Sequence, residues 1–165
     1  MDIKKINRMK VVVIAIIIVA SSGFYSAQTT TNIKGSQFEF KEVVRHDASP
    51  VESQGRTGTC WSFSALSFLE SEIMRTTGRE KPIILSEMFI VRKAYEAKAK
   101  KYIRMDGRTN FGEGGAFHDI PYVIKNHGIV PQSEYTGLAK KGDRYNHGDM
   151  FDQLNEIVTV AKKEG

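Results

Sequence analysis

Cysteine is nearly absent from this chain: one thiol, Cys60, in 165 residues. That count excludes an intrachain disulfide, a structural zinc site built on thiolates and a Cys-x-x-Cys redox pair. No His-x-x-x-His pair takes their place, and the acids Glu70 and Glu72 do not share a helix face, so no metal or other cofactor is called for. The run Phe111–Gly115 is rich in glycine but lacks the Gly-Lys-Ser/Thr ending of a phosphate loop. No basic block is interleaved with aromatics, so no nucleic acid is expected; Lys98, Lys100 and Lys101 read as a solvated helix face. Repeats and low-complexity tracts are also missing.

The formal charge of +5 is mostly an N-terminal property. Lys4, Lys5, Arg8 and Lys10 precede the apolar run Val11–Ala20, and small and polar residues follow to about Ala27. This three-part pattern is that of a secretory signal peptide over residues 1–27. Removal near Gly23 or after Ala27 is expected, delivering the protein to the periplasm or the exterior with no stable hold on the membrane. Left uncleaved, the uncharged stretch 11–27 approaches the length of an anchor. Taking away four of the 24 basic residues and one of the 19 acids leaves 20 against 18, a mature chain near +2. No cysteine near the cleavage point offers a lipid attachment site. An exported protein meets oxidising conditions, which makes a retained single thiol a candidate for chemistry.

Cys60 stands in Gln54-Gly-Arg-Thr-Gly-Thr-Cys60-Trp-Ser-Phe-Ser64. Gly55 and Gly58 let the backbone turn tightly, and an apolar helical pattern begins at Trp61. A cysteine at a helix start feels unpaired N–H groups and the positive end of the helix dipole, both of which favour the nucleophilic thiolate. The competing reading of a lone cysteine is a small buried hydrophobe.

Four helices are expected around this residue. The first runs from Cys60 to Thr77, with Trp61, Ala65, Leu69 and Ile73 recurring every four residues, Leu66 and Met74 widening the stripe, and Gly78 as its stop. The second starts after Ser86 as N-cap, with Phe89, Arg92, Tyr95, Ala99 and Tyr102 on one face and Val91 beside it. The third is opened by Gly114 and Gly115 or, because Pro121 sits inside it, by Asp119, and ends before Gly128. The last covers Asp149 to Lys162, with Leu154, Ile157, Val158 and Ala161 inward. Upstream, residues 28–44 form a polar leader, with a short strand expected over Phe38–Arg45.

The Gln…Gly…Cys-Trp run resembles the nucleophile segment of the papain-like cysteine peptidases. Leu85-Ser86-Glu87 and Phe111-Gly-Glu-Gly-Gly115 follow in that family's order, as does the stretch from Gly128 through Tyr135. The likeness covers about residues 45–140. It implies an α+β, papain-like fold in which residues 45–165 supply mainly the helical N-terminal lobe with the central nucleophile helix, and the β-rich C-terminal lobe is absent. It further implies Cys60 as nucleophile, Gln54 and the Cys60 N–H as oxyanion-hole donors, and Gly114 and Gly115 as the backbone that binds a peptide substrate. Thr57 departs from the pattern, since many members carry a disulfide cysteine there. That departure, and the lack of room for a long inhibitory propeptide, look closest to the bleomycin hydrolase and aminopeptidase C branch. Members of that branch are typically aminopeptidases and commonly hexameric.

The resemblance also implies a histidine base with an orienting asparagine at least about 130 residues beyond the cysteine. This sequence closes at Gly165, short of that distance. His46, His118, His127 and His147 match no base motif and read as solvated or capping residues, so the chain alone is expected to be inactive. Two readings remain beside an aminopeptidase fragment: a lobe that binds peptides or docks on a subunit without catalysis, and a thiol serving redox or adduct chemistry.

Overall fold

A computed structural model describes residues 34–140 and 142–164. The expected signal segment 1–27 lies outside them, as does most of the polar part of the leader. The chain divides at Val44/Arg45 into two units. In the first, residues 34–44 form no helix or strand, so the strand expected over Phe38–Arg45 is not there. The alternation breaks at Val43 and Val44, which are both exposed, and leaves no single face to bury.

The second unit is built on four helices: α1 (Cys60–Thr77), α2 (Glu87–Arg104), α3 (Asp119–His127) and α4 (Gly148–Glu164). Among the described residues the only extended pairings are two isolated bridges, Arg56 with Asn146 and Leu85 with Pro131. Helix α2 packs against all three others. That position explains a departure from the expected stripe. A central helix is covered on more than one side, so Met88, Ile90, Val91, Ala94 and Tyr95 are buried, while Arg92 is exposed and pairs with Glu96 at 3.2 Å.

Helix α1 buries Trp61, Ala65, Leu66 and Met74 as expected, but Leu69 and Ile73 only partly. The inward positions between them go to polar groups. Ser62 donates to the Glu87 carbonyl at 3.0 Å, and the buried Glu70 accepts the Leu85 N–H at 2.7 Å. Both bonds tie α1 to the start of α2. The Ser86 side chain caps that start by accepting from Phe89 N–H at 3.0 Å.

Helix α3 begins at Asp119, not at the glycine pair, and so places Pro121 in the first turn. The first N–H groups of a helix have no partner within it, so proline costs nothing there. Helix α4 buries only Val158 fully, and Ile157, expected inward, is 61% exposed. A helix that packs chiefly on one other helix, here α2, needs only a narrow apolar seam.

Candidate active site

Cys60 is the first residue of α1, and its thiol is exposed. The buried-hydrophobe reading therefore does not apply. The residue before it, Thr59, is fully buried, and its hydroxyl bonds that of Thr57 instead of capping the helix. The Thr59 carbonyl accepts from Ser62 N–H at 2.9 Å and Phe63 N–H at 3.4 Å. The Cys60 N–H has no acceptor among the described residues, as expected for the first turn of a helix. An exposed thiol and an unpaired donor thus share one residue.

The preceding loop closes on itself. The Gln54 side-chain amide donates to the Thr57 carbonyl at 2.6 Å, and the Thr57 hydroxyl donates back to the Gln54 carbonyl at 2.9 Å. This uses one of the two N–H bonds of the Gln54 amide and leaves the other. Gly55 adopts a left-handed conformation (φ 61°), and a Cβ there would lie 2.3 Å from the Tyr145 carbonyl oxygen. The close approach lets Arg56 bond into the chain on both sides, N–H to Tyr145 at 2.8 Å and carbonyl from His147 N–H at 3.1 Å.

The glycine run packs directly on this loop. The Glu113 carboxylate accepts the Gly58 N–H at 2.7 Å, and the Glu113 carbonyl accepts the Trp61 indole N–H at 3.1 Å. Gly115 lies on the indole ring: a Cβ would meet it at 2.6 Å, whereas Gly114 has open space on that side. The residue next to the thiol therefore carries the glycine run. Lys98 holds the run from the other side, bonding the Gly112 carbonyl at 3.4 Å and the Gly114 carbonyl more closely, with its Nζ 5.4 Å above the Trp61 ring. Burial lowers its pKa, partly offset by Asp119. Lys98 is thus a structural strut and not part of a solvated face. The peptide N–H and carbonyl of Gly115 have no bond within the protein among the described residues.

The histidines divide unevenly. His127 ends α3 as anticipated, and His118 stands just before that helix, 83% exposed and 3.7 Å from Asp119. His147, expected in a solvated loop, is buried instead. Its ring meets Tyr95 edge-on at 6.1 Å, and its Nδ1 lies 3.7 Å from the Glu113 carboxylate. Burial lowers its pKa, and Glu113 opposes that shift. Neither a hydrogen bond nor an ion pair joins Cys60 to a histidine among the described residues. No cluster of metal-binding side chains occurs there either. Glu113, His147 and Lys98 are the residues sequence reasoning missed. Glu113 had a signal, an acid inside a glycine run that already mattered.

An exposed thiol at a helix start is backed by a glutamine loop and a glycine run resting on the adjacent tryptophan, an arrangement a thiol nucleophile requires. The profile of the papain family cysteine protease matches residues 35–164, and the chain belongs to that family. Cathepsin J of Rattus norvegicus is 26% identical over 117 residues, 70% of this chain and 32% of the relative. Cysteine proteinase 2 of Dictyostelium discoideum is 28% identical over 144 residues, 83% of this chain and 35% of the relative. Oryzain beta chain of Oryza sativa subsp. japonica is 34% identical over 95 residues, 57% of this chain and 18% of the relative. The chain spans about a third of the length of the first two. The expected fold class holds: the described part is the helical lobe of an α+β, papain-like domain.

Proposed function

We propose that this chain carries the nucleophile and the substrate-backbone half of a cysteine peptidase, and that the general-base histidine comes from chain beyond this sequence. The observation that carries the reading is the exposed Cys60 at the head of α1 with its own N–H unpaired. In the reaction, the Cys60 thiolate attacks the scissile carbonyl carbon. The resulting oxyanion is met by the Cys60 N–H and the second N–H of the Gln54 amide. The C–N bond breaks as the histidine, protonated by the thiol, returns that proton to the leaving amine. Water then attacks the thioacyl carbon, the acid product leaves, and the thiol is restored. The free peptide groups of Gly115 pair with the extended substrate main chain, while the Gly114 carbonyl is engaged by Lys98.

The finer assignment, an aminopeptidase of the bleomycin hydrolase and aminopeptidase C branch, rests on Thr57 in place of a disulfide cysteine. The curated relatives carry the names of cathepsins and cysteine proteinases and do not bear on that branch. Export through residues 1–27 and a hexameric assembly belong to the same proposal. Among the described residues, no helix is long and apolar enough to cross a membrane.

The test compares residues 28–165 with the full-length polypeptide on paired peptides bearing free or acetylated N-termini. The short form should show no turnover. The long form should cleave the free-ended peptide, with activity lost in Cys60→Ser and reduced about 100-fold or more in Gln54→Ala. Turnover by the short form would overturn the division of labour. Equal cleavage of both peptides would overturn the aminopeptidase assignment alone.

A further inference from the structure

Helix α2 treats its cations in two ways. At its N-terminal half, Arg92 and Lys93 both pair with Glu96, at 3.2 and 3.0 Å. At its C-terminal half, Lys100, Lys101 and Arg104 take part in no ion pair among the described residues. These three line a groove of about 990 Å³ whose opposite side includes Gly114, Gly115 and Ala116. Lys101 and Arg104 share a helix row with Ala97, which also lines the groove.

The other charged groups of the groove bond within the protein, and Asp119 keeps its negative charge there. Lys98 bonds the carbonyls of Gly112 and Gly114. The Asp119 carboxylate accepts the Ala116 N–H at 2.9 Å and faces His118 at 3.7 Å. Lys98, Lys100, Lys101 and Arg104 against Asp119 leave the groove with an excess of positive charge beside the unpaired backbone of Gly115. An extended peptide bonded to that backbone turns alternate side chains to opposite sides. Paired along Gly115, such a peptide would turn one of them towards α2.

We propose that this groove is a specificity site for an acidic side chain, a Glu or Asp of the bound peptide, held by Lys101 and Arg104 with Lys100 beside them. The proposal rests on the peptide-binding reading of Gly115 given above. It adds a substrate class, peptides with a carboxylate at one fixed position.

The test uses the full-length protein with Cys60→Ala, which binds without cleaving, and fluorescent peptides carrying Glu, Gln or Lys at each position in turn. Anisotropy should show one position where Glu is preferred over Gln by about three- to tenfold, a preference that shrinks at high salt. Lys101→Ala with Arg104→Ala should abolish it, and Lys101→Glu with Arg104→Glu should turn it towards Lys. Both pairs lie on the exposed surface, and a thermal melt checks that the variants fold. The proposal fails if no peptide binds, if Glu is preferred nowhere, or if the preference survives the double alanine variant. Cleavage by the protein with Cys60 intact reads the underlying activity separately. Cleavage without Glu preference sinks only the groove, and Glu-selective binding without cleavage sinks only the peptidase.

Discussion

The carboxylate of Glu113 accepts the backbone N–H of Gly58 at 2.7 Å across 55 residues of sequence. It ties the glycine run to the loop two residues before Cys60, next to Thr57. A Cβ on Gly58 would lie 2.8 Å from the Glu113 Cβ, so the contact needs a glycine there.

Glu113→Ala should therefore cost about 1–3 kcal/mol, the penalty for stranding a partly buried N–H. Glu113→Gln keeps an acceptor and should lose less, because only the charge assistance goes. Urea denaturation of the three proteins checks the order. Equal stability would mean that the Glu113 bond holds nothing in place.

The two adjacent glycines should respond differently to the same change. Gly115→Ala drives a methyl to within 2.6 Å of the indole and should cost about 1–3 kcal/mol of overpacking. Gly114→Ala meets nothing and should stay within about 0.5 kcal/mol. Trp61 is the only tryptophan, so its fluorescence reports the Gly115 change directly.

Two buried groups make opposing contributions to the pH dependence of stability. Burial pushes the Glu87 carboxyl up to about 7, with Glu70 and Glu52 adding to the rise. A raised carboxyl favours the folded state while it stays protonated, so this contribution is lost as pH climbs from about 4.5 to about 7. His147 acts in the opposite sense over an overlapping range. Its lowered pKa means that the unfolded chain takes up a proton first, so stability falls as pH drops below about 6.5. Glu87→Gln should gain about 1–2 kcal/mol at pH 8 and nothing at pH 4, since water reaching the ionised carboxylate limits the gain. His147→Phe removes the opposing contribution, so stability should then rise more steeply as pH falls from about 6.5. Melting curves from pH 4 to 8 read both.

Glu70 is a buried acid whose partner is a backbone N–H, that of Leu85. Glu70→Leu removes the acceptor and should cost about 1–3 kcal/mol, although leucine suits a buried helix position. Glu70→Gln retains a carbonyl and should be milder. A stabilising Glu70→Leu would show that the bond is dispensable.

Much of this was legible in the residues. The Cys60–Thr77 helix, the Ser86 cap and the stop at Gly128 follow from local chemistry, which acts over three or four neighbours. The inward faces of α2 and α4 were read less well, because the face a helix buries depends on which neighbours it meets. Ile157 looked apolar enough to be inside, yet no neighbour covers it among the described residues. Lys98 looked like part of a basic surface run. Only the approach of the Gly112 and Gly114 carbonyls makes it a strut.

The sequence by itself determined that there is one candidate nucleophile, that it starts a helix, and that a glutamine and a glycine pair accompany it. Those facts depend on residue type and short spacing. The tertiary structure alone decided that Trp61 carries Gly115, that Glu113 joins the two loops, and that His147 is buried against Tyr95. Each of these is a contact between residues far apart in the chain. Spacing says nothing of such contacts, because they exist only once the helices have packed and brought the loops together.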